Sequence, residues 1–340
     1  MSELLPPTAI DLFSGCGGLT LGLKQAGYRV LAAVEVDPKA QETYAMNHAD
    51  VHLYRQDIRD VDPLQVLAGA GIAPGFLDLL AGCPPCQGFS RLRTKNKCIS
   101  VKDHRNDLVA QFVRFVSVLR PRNVMLENVP ALAADKRFSK LRRELSKLGY
   151  ESAYQVLDAA SFGVPQRRKR LIMLAARGVT PVISSGGQGT VTVKQAIGWL
   201  GSPADSADSL HALPESRSQK VRDLISRIPK DGGSRKDLPM NEQLACHQRS
   251  NGFSDVYGRM AWNKVAPTIT SGCHNPSKGR FLHPSEDRTI TLREAALLQG
   301  FPASYRFDVR HGKESIALMI GNALPPPFIA AHASGLLVRN

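Results

Sequence analysis

Apolar runs of strand length alternate with helical stretches from the first residues to about position 175, and no other feature limits the fold so tightly. Residues 8–13 read as a buried strand, 15–18 as a turn, and 19–26 as a short helix closed by Gly27. Residues 29–36 form a second strand. Pro38 after Asp37 then opens a helix, because the fixed φ and missing N–H of proline are harmless in a first turn. A third short strand ends near Asp57, residues 76–81 (FLDLLA) are a fourth, and 123–127 (NVMLE) a fifth, reached after a helix over about 107–119. A helix over 138–148 ends at Gly149, and 154–158 and 170–175 are further strands. Parallel strands need crossover connections, usually helices. The alternation therefore predicts an α/β fold with a Rossmann-like, doubly wound, mostly parallel sheet.

After about residue 178 this pattern stops. Residues 180–208 are rich in Ser, Gly, Pro and Ala, and 216–236 carry Arg217, Lys220, Arg222, Arg227, Lys230, Arg235 and Lys236 against Asp223 and Asp231. A domain over 1–178 is expected, then a smaller, loop-rich basic module over 179–311 and a final segment over 312–340. Hydrophobic residues make up 43% of the 340 and charged residues 22%, which excludes a wholly disordered chain. The 44 Lys+Arg exceed the 30 Asp+Glu by 14, which points to a polyanion, nucleic acid before membrane. No run of 18 apolar residues occurs and residues 1–7 lack a signal pattern, so neither a membrane span nor secretion is expected. Six cysteines without a regular framework suit a reducing, cytoplasmic setting.

Asp11-Leu-Phe-Ser-Gly-Cys-Gly-Gly18 falls where the first strand turns into the first helix. Gly15, Gly17 and Gly18 would let a ligand approach the backbone, and a helix N-terminus offers free N–H groups. The spacing is not G-x-G-x-x-G, so a dinucleotide fingerprint is not met, and a plain tight turn remains an alternative. Glu35 lies 35 − 15 = 20 residues after Gly15, where an acid grips ribose hydroxyls in nucleotide-binding sheets. Asp57 ends the third strand at the same carboxyl edge. These positions together favour an adenosine-type cofactor over mere helix caps.

Gly82-Cys-Pro-Pro-Cys-Gln-Gly-Phe-Ser90 follows the fourth strand. Zinc would need about four ligands, and Cys16, Cys98, Cys246 and Cys273 form no second pair, so no metal is expected. A nucleophilic Cys86 in a stiff Pro-Pro loop is more economical. Its thiol would need activation by nearby positive charge, and Arg91, Arg93, Lys95 and Lys97 follow closely. Glu127 closes the neighbouring strand and could act as a general acid, or simply cap a turn. In Gln166-Arg-Arg-Lys-Arg170, strand alternation would send Arg168 and Arg170 to one face.

Taken in order, DLFSGCGGLTLGL (11–23), VEVD (34–37), DI (57–58), GCPPCQGFS (82–90), ENVP (127–130), QRRKR (166–170), TLREAALLQGFP (291–302) and GNALPP (321–326) resemble the C5-cytosine DNA methyltransferases of bacterial restriction–modification type. The resemblance implies that S-adenosylmethionine lies over Phe13, Ser14, Gly15, Cys16, Gly17 and Gly18. Glu35 and Val36 would then be at its ribose, Asp57 and Ile58 at its adenine, and Pro84 and Asn322 nearby. It implies a cytosine flipped out of duplex DNA, attack of Cys86 on C6, and help from Glu127 at N3. Arg168 would hold the flipped base and Arg170 would brace the site. Gln87, Ser90, Arg105, Gln166, Arg259 and Thr268 would contact DNA, with 91–105 as a mobile loop and 179–311 as the target-recognition domain. The segment 312–340 would return to the catalytic domain. The family varies at Cys16 and Cys83, so neither gains a necessary role.

The resemblance makes double-stranded DNA the partner, and a cognate restriction endonuclease could act on the same site without a stable complex. No long N-terminal extension is present, so the regulatory domains of large eukaryotic members are expected to be absent. A tRNA cytosine methyltransferase of the same architecture is the main rival, and PTIT (267–270) in a basic module favours DNA over it. A non-catalytic DNA-binding relative should have lost Cys86, Glu127 or the glycine turn, and all three are intact. A nicotinamide-dependent dehydrogenase lacks its fingerprint here.

Overall fold

Strand β1 (Thr8–Leu12) is buried from Ala9 onward, as a continuous apolar run covered on both faces requires. It pairs in parallel with β2 (Arg29–Val34) and with β4 (Leu79–Gly82), while β2 pairs in parallel with β3 (His52–Tyr54). Strand β5 (Asn123–Asn128) runs parallel to β4. Strands β6 (Tyr150–Asp158) and β7 (Lys169–Arg177) pair antiparallel, and β7 also pairs antiparallel with β5. The order is β3-β2-β1-β4-β5-β7-β6, a mixed sheet that is mostly parallel. The computed structural model describes residues 5–85, 108–244 and 255–337.

Local chemistry accounts for the helices that follow these strands. Helix α1 (Gly18–Gln25) starts from Gly17, whose φ of 97° is open to glycine at little cost. Helix α2 (Pro38–Asn47) has Asp37 as its cap, accepting from Ala40 N, with Pro38 in the first turn. Helix α3 (Pro63–Gly69) repeats the device with Asp62 and Pro63. Helix Leu108–Leu119 buries Phe112, Phe115 and Val116 against a core that includes Ile10, Leu12, Leu80, Val124 and Leu126.

The chain forms two compact units. The first comprises Met1–Phe162, Lys169–Gly187 and Leu324–Asn340, and the second Gly163–Arg168 and Gln188–Ala323. The divisions at 187/188 and 323/324 differ from the sequence-drawn 178/179 and 311/312. Helix Lys313–Asn322 counts with the second unit, and helix Pro326–Ser334 with the first. The second unit consists of short helices, 3-10 turns and isolated bridges, with a small core of Leu224, Ile225, Ile228, Leu238, Tyr257 and Leu282.

Within the first unit, helix Pro326–Ser334 packs on α1 over Gly22. A Cβ at Gly22 would stand 2.6 Å from Ile329 Cβ and 2.7 Å from the Pro326 carbonyl oxygen. Backbone and a branched side chain yield little, so Gly22→Val should cost about 1–3 kcal/mol by overpacking. Its midpoint in urea should fall accordingly, and an unchanged midpoint would show that the two helices separate easily.

Candidate active site

Parallel register sets the site. Leu12 pairs with Val34 and with Gly82, and Gly82 pairs with Leu126, so β1, β2 and β4 end at one level, which β5 reaches at Leu126. The residues just past them (Phe13–Gly18, Glu35, Cys83 and Glu127) therefore share the carboxyl edge of one sheet, where open α/β folds bind ligands.

The turn after β1 is built for close approach. Phe13 has φ 64°, an unusual value for a bulky side chain and one that persists only where the surroundings impose it. Gly15 has φ 55°, and a Cβ there would meet nothing within 4 Å. Glu35 closes the turn. Its Oε2 accepts from Gly15 N at 2.7 Å, and its Oε1 accepts from Val36 N at 2.9 Å and Asp37 N at 2.8 Å. Burial raises the Glu35 carboxyl above its ordinary range, and these three N–H donors oppose that rise. The Ser14 hydroxyl is buried with no hydrogen-bond partner among the described residues. Gly17 and Gly18 are buried, as is Cys16, whose thiol burial pushes up to about 12. That thiol stays neutral.

Further along the edge, Val36 is exposed and Ile58 is buried, with the Ile58 carbonyl accepting from Arg114. Asp57 accepts from Arg59 N at 3.0 Å, so its carboxylate caps the turn that follows β3. Sequence reasoning passed over Asp11, which is fully buried and accepts at 2.7 Å from the Thr20 hydroxyl, itself 2.8 Å from the Tyr44 hydroxyl. Burial pushes the Asp11 carboxyl from 3.8 up to about 8.

Glu127 is 1% exposed, and its Oε1 lies 2.9 Å from Arg170 Nε. The Asn128 amide, also passed over, donates to the Pro84 carbonyl at 2.9 Å and pins the buried Pro84 to β5. Cys86, Gln87, Ser90, Arg105 and the predicted loop 91–105 lie outside the described residues.

Several predicted contacts sit elsewhere. Arg170, expected to brace the site, pairs with Glu127, whereas Arg168, expected at the flipped base, is held by backbone carbonyls. Arg168 is 2% exposed and donates to the carbonyls of Ile269 (2.9 Å), Gly321 (2.8 Å) and Ala323 (3.2 Å). Arg168 thus braces the second unit. Gln166, expected at DNA, is wholly buried, donating to Leu298 O at 3.0 Å and accepting from Ile269 N at 2.9 Å. Arg259 is also wholly buried. It donates to Ile225 O (2.7 Å), Ile228 O (3.1 Å) and His283 O (2.9 Å), and it pairs with Asp287. Two of those carbonyls close helix Gln219–Arg227, so the guanidinium clamps the module rather than facing phosphate. Thr268 is half-buried, donating to Arg167 O at 2.6 Å, and Asn322 is exposed at the end of its helix. Of the 216–236 cations, Arg235 is buried and Arg217 pairs with Glu215, while Lys220, Arg222 and Lys236 remain exposed.

A family model described as C-5 cytosine-specific DNA methylase matches residues 8–337. Type II methylase M.HgiDII of Herpetosiphon aurantiacus is 36% identical over 332 residues, covering 93% of this chain and 91% of that protein. Type II methyltransferase M1.HphI of Haemophilus parahaemolyticus is 30% identical over 346 residues, covering 98% and 87%. Among solved structures, a putative DNA modification methyltransferase encoded within a prophage in E. coli has a TM-score of 0.74 at 25% identity, over 98% of this chain and 99% of that one.

Two outcomes follow from the buried groups. Asp11 holds in the folded state a proton that the unfolded chain releases, so its stabilisation is complete below about pH 4 and is lost as pH rises through about 8. The Asp11→Asn variant lacks this titration. The melting temperature of the parent relative to that variant should fall between pH 4 and 8.5, and a constant difference would show an ordinary carboxyl. Arg259→Ala should cost roughly 3–5 kcal/mol in urea unfolding, because it strands buried acceptors. Loss of DNA affinity with a flatter salt slope at unchanged stability would instead make Arg259 a phosphate contact.

Proposed function

The chain belongs to the C-5 cytosine-specific DNA methylase family, and on that premise we propose how its residues methylate cytosine at C5 in duplex DNA. One observation carries the assignment of roles. Glu127, buried and paired with Arg170, stands one residue before the end of β5, beside the Gly82–Pro85 segment that leads into Cys86.

Cys86 is the nucleophile. Its thiolate adds to C6 of a cytosine turned out of the helix, since the ring carbons cannot be attacked inside the stack. As the C6–S bond forms, Glu127 delivers its proton to N3, and Arg170 stabilises the carboxylate left behind. The added electron density makes C5 nucleophilic. After C5 is methylated, its proton passes to water, the Cys86 thiolate is expelled, and N3 returns its proton to Glu127, which restores the ring and the acid.

S-adenosylmethionine, the methyl donor this family implies, supplies an electrophilic methyl group when bound. The residues present fit it: an unpartnered buried Ser14 hydroxyl, open space at Gly15, and a Glu35 carboxylate whose oxygens can accept from ribose hydroxyls. Lys220, Arg222 and Lys236, which are exposed, would meet phosphates, and a restriction endonuclease with the same target would be the functional counterpart.

Radiolabelled methyl transfer to unmethylated duplex DNA should exceed transfer to tRNA, and the reverse ranking would sink the DNA assignment. Cys86→Ser should lose turnover by at least about 10³-fold while keeping DNA affinity and its steep fall with salt. Retained turnover would remove Cys86 from the nucleophile's role.

A further inference from the structure

The reaction as described leaves the thiol at position 83 unused. Gly82 pairs with Leu126, so the next residues on each strand, Cys83 and Glu127, stand side by side across β4 and β5. Cys83 Sγ lies 3.0 Å from Glu127 Oε2, with the thiol donating. The other carboxylate oxygen, Oε1, is 2.9 Å from Arg170 Nε. A carboxylate that is 1% exposed is thus held at one oxygen by a cation and at the other by a thiol.

The backbone around the sulfur is fixed on both sides. Cys83 N donates to Leu12 O at 3.3 Å, and the Pro84 carbonyl accepts from the Asn128 amide at 2.9 Å. Those contacts fix the backbone that carries the sulfur, and from it the thiol meets Glu127.

We propose that Cys83 is a positioning residue for Glu127, its S–H fixing the plane of the carboxyl group and stabilising the carboxylate that remains once a proton has gone to the base. Arg170 supplies charge from β7, while Cys83 supplies a directed donor from β4. A hydrogen bond to the ionised form favours that form, so removing the donor makes the acid hold its proton more tightly. Sulfur is a weak donor, and the effect is correspondingly modest. This proposal rests on the role given to Glu127 above.

The test uses the full-length enzyme with S-adenosylmethionine and unmethylated duplex DNA of high sequence complexity. Cys83→Ala should lower kcat about 5- to 10-fold with little change in KM for DNA. Its kcat–pH profile should shift its alkaline-side ionisation to higher pH, because Glu127 must be protonated to act as the acid. Cys83→Ser keeps a donor in place and should restore both kcat and profile to near the parent. A Cys83→Ala enzyme matching the parent in kcat and pH profile would overturn the proposal. So would equal losses in both variants with neither profile shifted, since the sulfur would then be a packing group. Glu127→Gln separates this inference from its premise. If Glu127→Gln keeps the parent's kcat, the role of Glu127 falls and the inference with it. If Glu127→Gln loses turnover while Cys83→Ala is silent, only the inference falls.

Discussion

A carboxylate with 1% exposure cannot stay where it is unless donors are brought to it, because removing a charge from water costs several kcal/mol when nothing replaces the lost hydration. In this chain strand register brings them. Gly82 opposite Leu126 puts Cys83 next to Glu127, and Asn128 opposite Leu171 puts Arg170 within reach from the antiparallel side. The mixed character of the sheet therefore matters chemically. An antiparallel β7 starts where β5 ends, so its first residues arrive at the carboxyl edge, whereas a parallel strand would deliver its last residues there. Slipping β4 or β7 by one residue would turn the donor to the opposite face.

Much of the sheet was legible because its strands are continuous apolar runs and its second helix opens with the acid–proline pair Asp37-Pro38. The carboxyl-edge positions of Glu35 and Glu127 followed from strand ends alone. The direction of β7 was not legible, since an apolar run has no polarity until its partners are known. Nor could alternation assign Arg168 and Arg170. The rule holds inside a strand, but β7 begins at Lys169 and Arg168 falls in the other unit. Asn128 and Cys83 were given no role for a related reason, because their partners lie across the sheet.

The excess of positive charge divides in a way that counting cannot anticipate. Guanidinium groups are weakly hydrated and carry five donors in a planar fork, so a chain can use them to tie carbonyls together inside loop-rich regions. Arg168 and Arg259 do this in the second unit, which has few regular hydrogen bonds of its own. Compact ammonium groups are costlier to bury, and Lys220 and Lys236 stay at the surface. A basic composition therefore combines two demands: holding together a module poor in secondary structure, and attracting a polyanion.

The cofactor edge shows how two acids can coexist in little space. Asp11 and Glu35 stand near the ends of neighbouring strands, and Glu35 is among the causes that push Asp11 upward. The conflict is resolved by unequal solvation. Asp11, fully buried, accepts from Thr20 and retains its proton, whereas Glu35 receives three backbone N–H groups from the turn it closes. Environments that separate paired acids in this way assign them different work. A neutral Asp11 anchors Thr20 and Tyr44 beneath α1 and spares Glu35 a second negative charge at the turn. Were Asp11 ionised, the backbone donors that hold Glu35 would have to offset repulsion as well as burial.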